Sequence, residues 1–87
     1  MHDSSLMASL LGQIEAAAAR RGARRVLVVR LRLGALAGFD EEHLREHWVL
    51  AVAGGIAEGA ELCVSRADDP LAPGAHTATV ESIDVEV

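Results

Sequence analysis

The spacing of the apolar side chains changes at Gly22, and this change constrains the fold more than any other feature of the chain. Across residues 6–21, apolar side chains recur three and four positions apart, as they do on one face of an α-helix. Across Arg25–Leu33 they alternate, which is typical of a β-strand with one buried face. The inner face of this strand is predicted to hold Leu27, Val29, Leu31 and Leu33. The pattern therefore predicts a helix that ends at Gly22 and leads directly into a strand.

The rest of the chain repeats this alternation of helix and strand. Asp40 is predicted to be the N-cap of a second helix, which a glycine pair at residues 54–55 terminates. Strand patterns follow over residues 61–66 and 79–87, and both prolines lie in the loop predicted between them, at residues 67–76. The core positions predicted for the second helix are Leu44, Trp48, Ala51 and Val52.

This order of helix, strand, helix, strand, strand predicts an α/β fold, specifically an α+β two-layer sandwich. Its three-stranded mixed sheet is expected to carry both helices on one face, because a helix that joins two strands favours a parallel, right-handed crossover. The last strand is expected beside the first, because acidic and basic side chains would then face each other across the ladder. The side chains concerned are Arg30, Arg32, Asp84 and Glu86. A chain of 87 residues is expected to form a single domain, residues 1–87.

Charge and cysteine content argue against several functional classes. A formal charge of −5 without a basic tail argues against a nucleic-acid or anionic-membrane partner. No apolar run reaches the length of a membrane span, and a cytoplasmic location is expected. The single cysteine, Cys63, can form neither an internal disulfide nor a four-cysteine zinc site. No phosphate-binding loop or nucleophile motif is recognisable, so the chain is not predicted to be an enzyme.

The first residues, Met1, His2 and Asp3, place metal-binding groups in a fixed order ahead of the first helix. A free α-amine, the backbone nitrogen of residue 2 and its imidazole can surround one ion in a plane, a geometry suited to Ni(II) or Cu(II). This chemistry requires an unextended N-terminus, and Met1 is expected to be retained because His2 is large. An ordinary frayed chain start is the alternative interpretation.

Two further histidines, His43 and His47, are four residues apart on the predicted second helix, a spacing that metal sites use. Only Glu46 or Asp40 could act as a third ligand in register with them. The alternative is that both histidines lie on a solvent-exposed face of the helix, next to its predicted core positions, and bind no metal. His76, in the loop with the prolines, is expected to be a surface residue.

Four blocks of the sequence resemble the HypA/HybF nickel-insertion proteins of hydrogenase maturation. The start Met1-His2-Asp3 matches that family's Met-His-Glu, and further matches are VRLRLGALAG at residues 29–38, IAEGAEL at 56–62 and VESIDVE at 80–86. Together the blocks span nearly the whole chain in the family's order.

The resemblance implies a nickel site at the N-terminus and implies which residues form it. His2 would be the chief ligand, and the Met1 amine and backbone nitrogens would complete a planar set. Asp3 would orient the imidazole or hold the local backbone. Asp40 is a weaker candidate for an oxygen ligand, since the N-cap of a helix is the better explanation for an Asp at this position.

Two departures from the family pattern concern its zinc module and residue 3. The family's two Cys-x-x-Cys pairs are missing between about residues 66 and 77, so no structural zinc is expected. Asp3 is one methylene shorter than the family's Glu. The resemblance implies a protein that delivers Ni(2+) for [NiFe]-hydrogenase maturation, with a maturation GTPase and the hydrogenase large subunit as partners. Two alternatives stay open: a zinc-less adaptor that docks those partners without carrying metal, and a subunit whose missing ligands come from a second chain.

Overall fold

A computed structural model describes residues 3–38 and 40–87. Its elements follow the predicted order and confirm the predicted two-layer fold of two helices and a three-stranded mixed sheet. They are α1 (Asp3–Arg20), β1 (Arg25–Leu33), α2 (Glu41–Val52), β2 (Glu61–Arg66) and β3 (Ala78–Glu86). No helix in the described part of the chain is long and apolar enough to cross a membrane.

The first helix ends as its glycine predicts. Gly22 has a φ of 62°, which is left-handed and favours glycine. Its amide donates to the Ala19 carbonyl at 3.1 Å, and the Ala23 amide donates to the Ala18 carbonyl at 3.0 Å. This pair of bonds is the Schellman arrangement, which satisfies the last helical carbonyls and turns the chain into β1.

The sheet has the order β2-β1-β3, with β1 parallel to β2 and antiparallel to β3. The predicted neighbourhood of the first and last strands is therefore confirmed. The Arg30 guanidinium donates to both carboxylate oxygens of Asp84, at 2.9 and 3.0 Å. These bonds hold the pKa of Asp84 below its usual value. Arg32 and Glu86, also predicted to face opposite charges across these two strands, form ion pairs with other residues. Arg32 pairs with Glu81 at 3.8 Å, and Glu86 pairs with Arg24 at 3.3 Å.

One part of the predicted inner face of β1 is wrong. Leu27 is 45% exposed, whereas Val26 is buried. The pairing of β1 with β3 shifts register between Val26 and Val28, which marks a β-bulge or irregularity. An extra residue at this point reverses the alternation of side chains, so Val26 takes the inward position and Leu27 the outward one.

The core lies between the sheet and the two helices. Leu10 and Ile14 of α1 are fully buried, and so is Val29 of β1. From α2, the predicted core residues Leu44, Trp48 and Val52 are buried in the same cluster, and Ala51 is partly buried against it. Both helices therefore cover the same face of the sheet.

Candidate metal centre

Both helices begin at the end of the sheet where β1 finishes. The carboxyl end of α1 lies at the amino end of β1, since the Arg24 amide bonds the Glu86 carbonyl at 2.7 Å and Arg25 pairs with Glu86. The 18 residues of α1 rise about 27 Å, close to the length of the nine-residue β1, so Asp3 is carried to the opposite end. The segment after α2 likewise returns to the amino end of β1, where the Val26 amide bonds the Ile56 carbonyl at 3.0 Å.

Of the residues predicted to bind nickel, Met1 and His2 lie outside the described residues. Asp3 is the first residue of α1. The helix thus begins three residues before the apolar stripe that predicts it, which starts at Leu6.

Asp40 is the N-cap of α2, as the structural interpretation of this residue predicts. Its backbone is extended, and its Oδ1 accepts the His43 amide at 2.7 Å. The Asp40 carbonyl also accepts the first helical bond, from the Leu44 amide at 3.1 Å. This geometry fixes the start of α2. A carboxylate has a second oxygen that can accept, so a metal role for Asp40 is compatible with capping.

The turn before Asp40 is held by the loop that stands where the resemblance would place a zinc module. The Gly34 amide donates to the Thr77 carbonyl at 2.8 Å, and the Leu36 amide donates to the Ala75 carbonyl at 2.7 Å. From the end of β2, the Arg66 guanidinium donates to the Gly34 carbonyl at 3.2 Å. The loop therefore braces the turn that leads into α2. The sequence patterns did not predict this contact. The one sequence feature that points to it is Gly34, a glycine directly after a strand, where a side chain would not fit.

His43 and His47 lie side by side on α2. Their ring centroids are 4.5 Å apart and their planes are inclined by 47°. His43 is exposed and His47 is half-buried, whereas His76 is exposed in the 67–77 loop. Within residues 3–38 and 40–87, no cluster of three or more His, Cys, Asp or Glu side chains is arranged to hold a metal ion.

Cys63 is a free, half-buried side chain of β2. Its thiol lies 3.4 Å from Glu61 Oε2, its neighbour on the same face of the strand. This hydrogen bond raises the pKa of the Cys63 thiol and favours its protonated form, which is a poor metal ligand.

A family model and two curated relatives all match this chain to the same protein family. A family model described as "Hydrogenase/urease nickel incorporation, metallochaperone, hypA" matches residues 1–86. A hydrogenase maturation factor HypA of Xanthobacter autotrophicus is 41% identical over 68 residues, covering 78% of this chain and 60% of that protein. The HypA of Nitrosospira multiformis is 35% identical over 82 residues, covering 94% of this chain and 70% of that protein.

A solved structure shares the fold. The solution structure of the Ni metallochaperone HypA from Helicobacter pylori superposes with a TM-score of 0.85 at 15% identity, covering 99% of this chain and 98% of that chain. The chain spans 60% of the Xanthobacter relative and 70% of the Nitrosospira relative.

Proposed function

Because the chain belongs to the HypA family of nickel-incorporation metallochaperones, we propose that it is a nickel-binding accessory protein of [NiFe]-hydrogenase maturation. It carries Ni(II) as cargo in the cytoplasm and acts as a carrier, not an enzyme. Its partners in this proposal are a maturation GTPase and the hydrogenase large subunit. The observation that carries the proposal is the family match over residues 1–86.

The proposed nickel site is the N-terminus, with the Met1 amine, a backbone nitrogen and the His2 imidazole in one plane. Asp3 is proposed to orient this set and Asp40 to offer an oxygen from the start of α2. Support comes from the position of Asp3, because α1 begins there and is anchored a turn later by buried Leu6 and Met7. An ion held ahead of the anchored turn can be released without unpacking the core.

Two changes test this site from different sides. His2→Ala removes the imidazole, and a four-residue extension before Met1 (Gly-Ser-Gly-Ser) keeps every side chain but moves the free amine too far from His2 to share an ion with it. Each is expected to abolish the yellow d–d absorption of planar Ni(II), measured by titrating untagged protein with Ni(II). Binding should also fall as pH drops, because amine, amide and imidazole must all lose protons.

His76→Ala is the matched control for His2→Ala, because it removes one exposed histidine from the 67–77 loop. It should leave the planar absorption unchanged, and so should the double change of His43 and His47. The proposed N-terminal site is wrong if the absorption survives the extension and disappears with the change of His43 and His47.

We further propose that residues 1–87 act as one domain without structural zinc, the 67–77 loop standing where the family's zinc module would be. Support comes from the single cysteine and from the short loop bonded to the turn at Gly34. Incubation with a strong chelator is then expected to leave the thermal unfolding midpoint of the purified protein unchanged. A chelator-induced loss of structure would contradict this.

A zinc-less adaptor is the second candidate function, and the lack of paired cysteines favours considering it. Such a protein would bind the GTPase or hydrogenase subunit without carrying metal. Ni(II) titration and pull-down with the purified partner proteins distinguish the two functions. Binding of partners without any binding of nickel would identify the adaptor.

A further inference from the structure

The histidine pair of α2 has a geometry suited to metal binding. Residues four apart on a helix lie on one face, and two imidazoles in this arrangement form a common chelate for zinc and its neighbours in the transition series. Here the rings of His43 and His47 lie one turn apart, with centroids separated by 4.5 Å and planes inclined by 47°. Two nitrogens that each lie about 2.0–2.1 Å from one ion are at most about 4.2 Å apart, a separation that two rings this close can provide.

The helix that carries the pair is rigidly held. Leu44, Trp48 and Val52 are buried on its inner face, and Asp40 caps its start at 2.7 Å. A fixed backbone reduces the entropy lost when two side chains converge on an ion. The backbone positions of the two histidines are therefore set by the packing of α2 before any ion binds.

The charges of α2 favour a cation. Within Asp40 and α2, four carboxylates accompany a single guanidinium, that of Arg45. Arg45 is directed to the other side of the helix, where it bonds Glu41 at 2.8 Å and the Leu62 carbonyl of β2 at 2.8 Å. Glu42 and Glu46 are exposed and keep the surface around the histidines negative.

We propose that His43 and His47 form a second, two-ligand site for Ni(II) on the surface of α2. Imidazole is a suitable ligand for Ni(II), Cu(II) and Zn(II), and the exposure of His43 lets an ion enter from solvent. The remaining coordination positions are left to water or to an incoming donor, as a transfer site requires. The transfer role rests on the proposed function, whereas metal binding by the pair does not.

The test uses the full chain with the N-terminal site blocked by the same four-residue extension before Met1 together with His2→Ala. This protein is titrated with Ni(II) by calorimetry, and with Cu(II) as a spectroscopic probe whose pulsed electron paramagnetic resonance detects bound imidazole. One ion is expected to bind, with two imidazoles in the Cu(II) spectrum. Adding His43→Ala or His47→Ala should remove the stoichiometric ion.

A matched variant keeps the number of histidines and changes only their spacing. In the blocked protein, His47→Gln combined with Val49→His moves one imidazole to a different face of α2, at a position that is 66% exposed. This variant should lose the two-imidazole spectrum, and blocked protein with His76→Ala should keep it. Trp48 fluorescence and far-UV circular dichroism establish that each variant is folded.

Three outcomes would overturn the proposal: no bound ion in the blocked protein, retention of the two-imidazole spectrum after the spacing change, or its loss on His76→Ala. None of these would affect the N-terminal site, which is read from planar Ni(II) absorption in the unblocked chain. Conversely, an unblocked chain without planar absorption would refute the N-terminal site and leave the test of the histidine pair intact.

Discussion

Replacing Trp48 by alanine is expected to lower the free energy of unfolding by about 3–5 kcal/mol. Trp48 is the only tryptophan and is 4% exposed, in the cluster that joins α2 to β1 and α1. Its removal leaves a cavity among aliphatic side chains that have no other aromatic ring in the described core with which to fill it. A loss of this size is a large fraction of the stability of a small domain. Chemical denaturation followed by far-UV circular dichroism measures the change.

Leu50→Ala is the matched control, because Leu50 lies on the same helix and is 79% exposed. It should change the unfolding free energy by no more than about 0.5 kcal/mol. In the native protein, Trp48 fluorescence should be blue-shifted and should move to the red on unfolding. A solvent-exposed emission together with a silent Trp48→Ala would mean that the inner face of α2 is misassigned.

Gly34→Ala is expected to destabilise the protein by about 1–3 kcal/mol and to displace the 67–77 loop. A Cβ at Gly34 would overlap the backbone carbonyl oxygens of Gly74 and Ala75. Backbone cannot rotate away as a flexible side chain can, so the loop must move. The bonds from the Gly34 and Leu36 amides to the loop would weaken, which hydrogen exchange at these two amides would report.

The control is the same substitution in open space. Gly12 lies in α1, and a Cβ there meets nothing within 4 Å. Gly12→Ala should therefore stabilise the protein, by up to about 1 kcal/mol, because alanine favours helix over glycine. Destabilisation by both changes, or by neither, would show that the contact of Gly34 with the loop does not control the effect.

The close packing at Gly34 also helps to position the start of α2, where the candidate ligands Asp40 and His43 lie. The loop contacts the turn of residues 34–38, and that turn leads into the cap at Asp40. Displacement of the loop by Gly34→Ala is thus expected to disturb the first turn of α2, including His43. A longer zinc module would enter the fold at the same place, between β2 and β3.

The sequence alone determined the features that rest on local interactions. Gly22 terminates α1 because only a left-handed residue completes the two bonds to Ala18 and Ala19. Asp40 begins α2 because its side chain reaches the amide three residues on. The apolar spacing of α2 fixed its inner face, including Trp48, since a helix presents residues three and four apart to the same neighbour. The order of these elements then limited the fold to a helix-covered mixed sheet.

Only the tertiary structure decided the features that depend on contacts between distant segments. The irregularity between Val26 and Val28 arises from pairing with β3. Simple alternation would place Leu27 in the core, but in the structure Val26 is buried there and Leu27 is exposed. The adjacency of β1 and β3 was predictable from their charges, but the partners of Arg32 and Glu86 were not, because register and side-chain reach set them. The approach of the loop to Gly34 is likewise invisible in the sequence, since it joins residues about forty positions apart whose contact is set by how β3 docks on β1.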